Sequence, residues 1–206
     1  MSRPTKIVCV GRNYAAHAKE LGNDVPERPL LFLKPPSSLL GDGETIRLPA
    51  DSERVEHEAE IAVIIGRRAH HVSEAEALAV VQGYAALNDV TARDLQRLDV
   101  QFTRAKSYDT FCPVGPAAPA RDGDWRGLEV LCHVNGQPRQ HGRASDMVFG
   151  IPALIAYISR VMTLEPGDLI ATGTPAGVGP LRPGDVVEVE LPGWSSVKNA
   201  VAADDT

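Results

Sequence analysis

No apolar run in the 206-residue chain approaches the roughly 20 residues that a membrane-spanning helix requires. Nor is there a cluster of basic residues. The nearest approach is the pair Arg67 and Arg68, and the formal net charge is −6. Nucleic-acid binding needs clustered Lys and Arg for phosphate contacts, so that class is excluded as an expectation. Cysteine is scarce. Cys9, Cys112 and Cys132 are odd in number, widely spaced, and form neither a CxxC nor a zinc spacing. They read as reduced core thiols of an intracellular protein. Neither a signal-peptide nor a transit-peptide pattern opens the chain, which makes the expected compartment cytoplasmic. No low-complexity segment or linker divides it, and residues 1–206 are expected to form a single catalytic-sized domain. Its 43% apolar and 23% charged residues are an ordinary globular mix.

What is present is mostly strand. Ile7 to Val10, Leu30 to Leu33, Ile46 to Leu48, Tyr84 to Asn88 and Leu128 to Val134 are apolar or alternating runs. Residues 58–65, EAEIAVII, are the clearest strand. Asn135-Gly136 is a hairpin signal. Two Pro-Gly-Asp turns, 166–168 and 183–185, precede the runs Leu169–Thr172 and Val186–Glu190. Four helices are predicted. One is capped by Asn13 and stopped by Gly22, one is capped by Ser73 and runs to Gln82, one spans Ala92 to Leu98, and one spans Ile151 to Met162. The Pro-, Gly- and Ala-rich residues 113–123 read as loop. Without a regular βαβ alternation, the pattern is α+β.

Glu58 and Glu60 stand two apart at the head of the clearest strand, where i and i+2 share a face. Paired carboxylates beside a buried apolar run are costly unless a cation compensates them. Oxygen ligands favour magnesium, manganese or calcium over zinc. A solvated strand end fits the same spacing. Asp89, leaving a second strand, is placed to be a third ligand, or a turn cap. His17 and Glu20 are i and i+3 on the first helix and share its face. A carboxylate beside an imidazole makes a general base, though a surface pair would look the same. Lys34 and Lys106 are candidate counter-charges for substrate carboxylates. The loop Thr172 to Gly179, TGTPAGVG, offers backbone N–H groups to an anion but lacks the ending of a phosphate-binding P-loop.

In order along the chain, VGRNYAAHAKELG, FLKP, HEAEIAVIIG, NDVTARDLQ, AKSYDTFCPVGP, DMVFGIP and TGTPAGVG resemble the fumarylacetoacetate hydrolase family. The match runs from about Lys6 to Val201 and is nearest to the small branch of acylpyruvate hydrolases and oxaloacetate decarboxylases. The resemblance implies a β-rich mixed-sheet roll with a few peripheral helices, assembled as a homodimer or larger. It implies magnesium or manganese (calcium being a further option) held by Glu58, Glu60 and Asp89. It also implies a lid segment over about 13–29 carrying the His17 and Glu20 pair, with Lys106 as a catalytic cation and Gln96 and Thr174 as substrate contacts; Lys34 joins the expected substrate contacts as a counter-charge, apart from the resemblance. The partner so implied is a small 2-oxo acid, not a nucleic acid or a membrane. The implied reaction is cleavage of acetylpyruvate- or fumarylpyruvate-type substrates to pyruvate and a carboxylic acid, with oxaloacetate decarboxylation at the same site. Glu56 before His57, and the run WSSVKNAV, depart from the commoner family pattern and leave substrate preference open. Two alternatives stand beside this reading. One is an isomerase or tautomerase of 2-oxo or 2-hydroxydienoic acids. The other is a non-catalytic metal-binding module, in which the His17/Glu20 pair would have no role.

Overall fold

The structure, a computed structural model, describes residues 3–120 and 125–204. Its first half contains β1 (Ile7–Gly11), α1 (Ala15–Glu20), β2 (Leu30–Lys34), β3 (Leu39–Leu40), β4 (Thr45–Leu48), β5 (Val55–His57), β6 (Ala59–Ile65), α2 (Glu74–Ala77), β7 (Val81–Asn88), β8 (Thr91–Ala92), α3 (Arg93–Leu98) and α4 (Thr103–Lys106). Then come β9 (Cys112–Pro113), β10 (Ala118–Pro119), β11 (Glu129–Val134), β12 (Gln137–Arg143), α5 (Ile151–Val161), β13 (Leu169–Ala171), β14 (Gly179–Pro180), β15 (Val186–Leu191) and β16 (Ser195–Ala203). The α+β expectation of mixed sheets with few, short helices is met.

Two sheets carry the molecule. A six-stranded sheet runs β10-β7-β6-β13-β1-β2, and a five-stranded sheet runs β12-β11-β15-β16-β4. Both are mixed: β1 pairs parallel with β13, and β16 parallel with β4, while the other neighbours are antiparallel. The strand β6 lies inside the larger sheet and is buried along its whole length. Being covered on both faces, it reads as continuous apolar sequence after Glu60. Its odd-numbered residues Ile61, Val63 and Ile65 join Val130, Cys132, Val187, Val189, Val197 and the α5 residues Ile151, Leu154, Ile155 and Ile158 in the main core. Ala62 and Ile64 point the other way, into a smaller cluster with Ile7, Cys9, Leu87, Cys112 and Leu169. All three cysteines are buried and unpaired. Among the described residues no helix is long and apolar enough to cross a membrane.

Some predicted boundaries move. Asn13 does not cap α1; Tyr14 occupies that position. The Asn13 side chain instead donates to the carbonyls of Phe149 and Thr172 and accepts from Phe149 N. The helix after Ser73 ends at Ala77, passes through a short 3-10 turn, and Val81 already begins β7. The expected loop at 113–123 contains the short strand β10, and its residues 121–123 lie outside the described residues. Asn135 and Gly136 both take positive φ, 54° and 74°, as the hairpin between β11 and β12 requires.

Candidate active site

The β1/β13 pair ends at one rim of the larger sheet, and the candidate chemistry collects there. A cavity of about 270 Å³ is lined by Glu58, Glu60, Asp89, His17, Lys106, Gln96 and Thr174, together with Arg12, Arg93, Arg97, Phe32 and Phe102. Seven of the nine candidate residues thus line it, and Glu20 and Lys34 each bond to one that does.

Glu58 does not lie on one continuous strand with Glu60. It is the single residue between β5 and β6. Its N–H is taken by the side-chain carbonyl of Asn88 (2.9 Å) and its carbonyl accepts from Asp89 N (2.8 Å). That two-way tie to the end of β7 brings Glu58 alongside Asp89. Oxygens of Glu58, Glu60 and Asp89 come within 4.8 Å of one another, all three residues buried.

The cations around this triad are unevenly shared. Lys106 Nζ donates to Glu58 and Asp89, each at 2.7 Å. Lys34 Nζ donates to Asp89 (2.7 Å) and to the carbonyl of Val90 (3.2 Å). Arg93 bonds Glu56, Glu58 and Gln96. Among the described residues Glu60 has no ion pair; its carboxylate accepts from Gly173 N, at 2.7 Å. The consequences for ionisation are opposite. Burial works against the Glu58 anion, but the charges of Lys106 and Arg93 outweigh it and hold its pKa well below the usual range. Burial and the nearby charges of Asp89 and Glu58 push Glu60 well above it. Burial would also depress Lys106, but Asp89 and Glu58 keep it firmly protonated. A buried, under-compensated carboxylate beside two others is the donor set that a hard divalent cation completes. The residues therefore fit the magnesium, manganese or calcium expectation.

Lys34 is not where it was expected. It is 1% exposed and sits behind Asp89, orienting that carboxylate, and it is not among the cavity-lining residues. Its ammonium is held by the Asp89 carboxylate and the Val90 carbonyl. The loop Thr172 to Gly179 does offer N–H groups to anions, and two of these anions are carboxylates of the chain itself. Gly173 N is taken by Glu60, and Gly177 N by Glu20 (3.0 Å). Both glycines have positive φ, and a Cβ on Gly177 would lie 2.2 Å from the Arg139 carbonyl. Thr174 lines the cavity while its hydroxyl donates to the Ala59 carbonyl (2.9 Å) and accepts from Gln140.

His17 is 5% exposed on the cavity side of α1. Its Nδ1 pairs with Glu20 at 3.2 Å, which leaves Nε2 for a partner in the cavity. Glu20 is shared between His17 and Gly177, so α1 is latched onto the glycine loop. The sequence reading missed Arg12, Arg93, Arg97, Phe32 and Phe102. The Arg93, Gln96 and Arg97 set was open to the same i, i+3, i+4 logic that singled out His17 and Glu20.

The model of the fumarylacetoacetate hydrolase C-terminal family matches residues 6–202. A protein of Arabidopsis thaliana named a mitochondrial oxaloacetate tautomerase is 49% identical over 201 residues, which is 94% of this chain and 89% of that protein. One of Dictyostelium discoideum named a mitochondrial oxaloacetate decarboxylase is 45% identical over 194 residues, 91% of this chain and 89% of its own length. The crystal structure of a fumarylpyruvate hydrolase from Pseudomonas aeruginosa, in complex with Mn2+ and pyruvate, superposes with a TM-score of 0.89 at 31% identity. It covers 97% of this chain and 90% of that one.

Proposed function

From the premise that the chain belongs to the fumarylacetoacetate hydrolase family, we propose that it is a divalent-metal-dependent hydrolase of acylpyruvates that also acts on oxaloacetate. The observation that carries this reading is the His17–Glu20 pair, latched over a cavity whose floor is Glu58, Glu60 and Asp89.

A divalent cation held by Glu58, Glu60 and Asp89 would supply Lewis-acid polarisation of a 2-oxo acid. The chain's own groups supply the rest. His17 Nε2 takes a proton from a water in the cavity, and Glu20 on Nδ1 fixes the tautomer and stabilises the imidazolium. The resulting hydroxide adds to the carbonyl beyond the methylene. Collapse of that adduct breaks the carbon–carbon bond, leaving a carboxylic acid and the enolate of pyruvate, which is then protonated at the methylene carbon. Lys106 has three donors, two of them on Glu58 and Asp89, and the third is available to developing negative charge. A donor of that kind is typically worth about 3 kcal/mol. Phe32, 5.0 Å beneath the ammonium, keeps this corner dry.

A second reading is favoured by the two relatives whose names refer to oxaloacetate tautomerisation and decarboxylation. Neither reaction needs an activated water. Pyruvate release from acetylpyruvate, fumarylpyruvate and oxaloacetate, with magnesium and with a chelator, separates the readings when combined with His17→Ala. Hydrolysis is expected to fall by about 10²–10⁴-fold, the usual contribution of a positioned base, and oxaloacetate decarboxylation by clearly less. A wild type that turns over oxaloacetate but no acylpyruvate would overturn the hydrolase assignment, and an equal fall in both activities would remove His17 as the base.

A further inference from the structure

Every buried cation near the triad is already engaged: Lys34 and Lys106 by Asp89 and Glu58, Arg93 by Glu56, Glu58 and Gln96. Two further arginines line the same cavity, the half-buried Arg12 and the exposed Arg97, and among the described residues neither side chain has a hydrogen bond or ion pair. Arg97 follows Arg93 by four residues on α3, so the two share a face. That separation is about 6 Å along the helix axis, comparable with the length of a short oxo-diacid. Arg93 marks the triad end through Glu58, and Arg97 lies one turn beyond it. Arg12 stands immediately after β1 with φ of 57°, a left-handed conformation that a side-chain-bearing residue seldom adopts. Such conformations persist where the surroundings enforce them and tend to cluster at ligand sites.

We propose that Arg12 and Arg97 recognise a second carboxylate at the end of the substrate remote from the triad, so that the site selects 2-oxo diacids over 2-oxo monoacids of the same length. This rests on the reading of the site as one for 2-oxo acids and narrows it. Guanidinium groups are suited to the task because their paired N–H groups match a carboxylate in geometry as well as charge. An oxo-monoacid would leave both arginines facing an apolar terminus. A diacid fills the same space and offers both guanidinium groups a charge-assisted partner. Phe32 and Phe102, edge-to-face at 5.6 Å on the cavity wall, offer the apolar contact for the chain between the two ends.

The test is calorimetric binding to the magnesium-loaded protein of 2-oxoglutarate and of 2-oxopentanoate, which share five carbons and differ in one carboxylate. The wild type is expected to hold the diacid at least about ten-fold more tightly, since a hydrogen bond to a charged group is worth about 1.5–3 kcal/mol. Arg97→Gln, on an exposed helix position, and Arg12→Gln are each expected to remove much of that preference and leave 2-oxopentanoate affinity within about two-fold. Equal binding of the two acids by the wild type, or a preference that survives both substitutions together, overturns the proposal while the 2-oxo-acid reading stands. Binding of neither acid overturns both.

Discussion

The strands β1 and β13 run side by side, and their two ends treat carboxylates in opposite ways. At the end where they begin, Asp168 is buried and accepts from Thr5 N, Thr5 Oγ1, Lys6 N, Lys6 Nζ and Glu165 N. Nearly every lone pair has a donor, and the carboxyl stays below its ordinary pKa because these bonds and the Lys6 charge outweigh burial. At the end where the strands finish, three carboxylates crowd together and Glu60 has no ion pair among the described residues. The first arrangement pins the start of β1 to the turn before β13. The second holds charge in a state that only a further cation relieves. A buried carboxylate is thus read by its complement of donors: complete satisfaction marks structure, and a deficit beside other anions marks a site.

Substitutions at the two ends should therefore differ in sign. The largest effect is expected from Glu60→Gln. Turnover should fall by about 10²–10³-fold or more, the scale of one lost electrostatic stabiliser, while the metal-free protein becomes more stable by about 1–2 kcal/mol, as is common when a strained functional charge is removed. Thermal melts in chelator and in magnesium, alongside kinetics, check both halves. A metal-free Glu60→Gln that melts below wild type would break the comparison. At the other end, Asp168→Ala should lose about 2–4 kcal/mol of stability, through the loss of charge-assisted bonds and the stranding of Lys6. Its kcat, measured well below the melting point, should stay within about two-fold of wild type, because the strand termini at the site are untouched. Denaturant titration and steady-state rates report these separately.

The smallest effect is in pH dependence. Asp168 has a depressed pKa in the folded state, so its contribution is present above the unfolded carboxylate value of about 3.9 and is lost as pH falls through the lower folded value. Glu60 is raised, so in the metal-free protein its ionisation opposes folding, and stability from this group is lost as pH rises from the ordinary carboxylate range to the folded value. Unfolding free energies of wild type and Asp168→Ala, measured between about pH 3 and 6 in chelator, should converge as acidity increases. Curves that remain parallel would remove Asp168 from the account.

Much of this was legible in the sequence, and the failures are instructive. The short spacing of Glu58 and Glu60 suggested that their carboxylates stand together, and they do, although Glu58 lies in the break between two strands and is held there by Asn88 and Asp89 instead of by one continuous pleat. The strands β1, β6 and β15 were visible because burial imposes a pattern on their residues. The strand β12, QPRQHGR, was not, since its polar sequence carries no apolar alternation, even Gln140 being buried, and its pairing comes from the Asn135-Gly136 hairpin. Asn13 was mistaken for a cap because its local chemistry is that of a cap. Its true partners, Phe149 and Thr172, lie more than 130 residues away. Lys34 looked like one more solvated or substrate-facing lysine, and only the fold reveals Asp89 in front of it. Long-range partners of single polar residues leave no periodic trace, whereas buried faces do.

The glycine loop that closes on α1 has a consequence in the language of linkage. One short segment holds Glu60 through Gly173 and Glu20 through Gly177, so a displacement of the loop as a unit changes both bonds together. Two events that share such an element exchange free energy symmetrically. To the extent that a cation on the triad steadies Glu60 and the loop, it raises the affinity of α1 for its closed position. Closure then returns the same factor to the cation. Ion and cover become each other's effectors, joined by the five residues from Gly173 to Gly177.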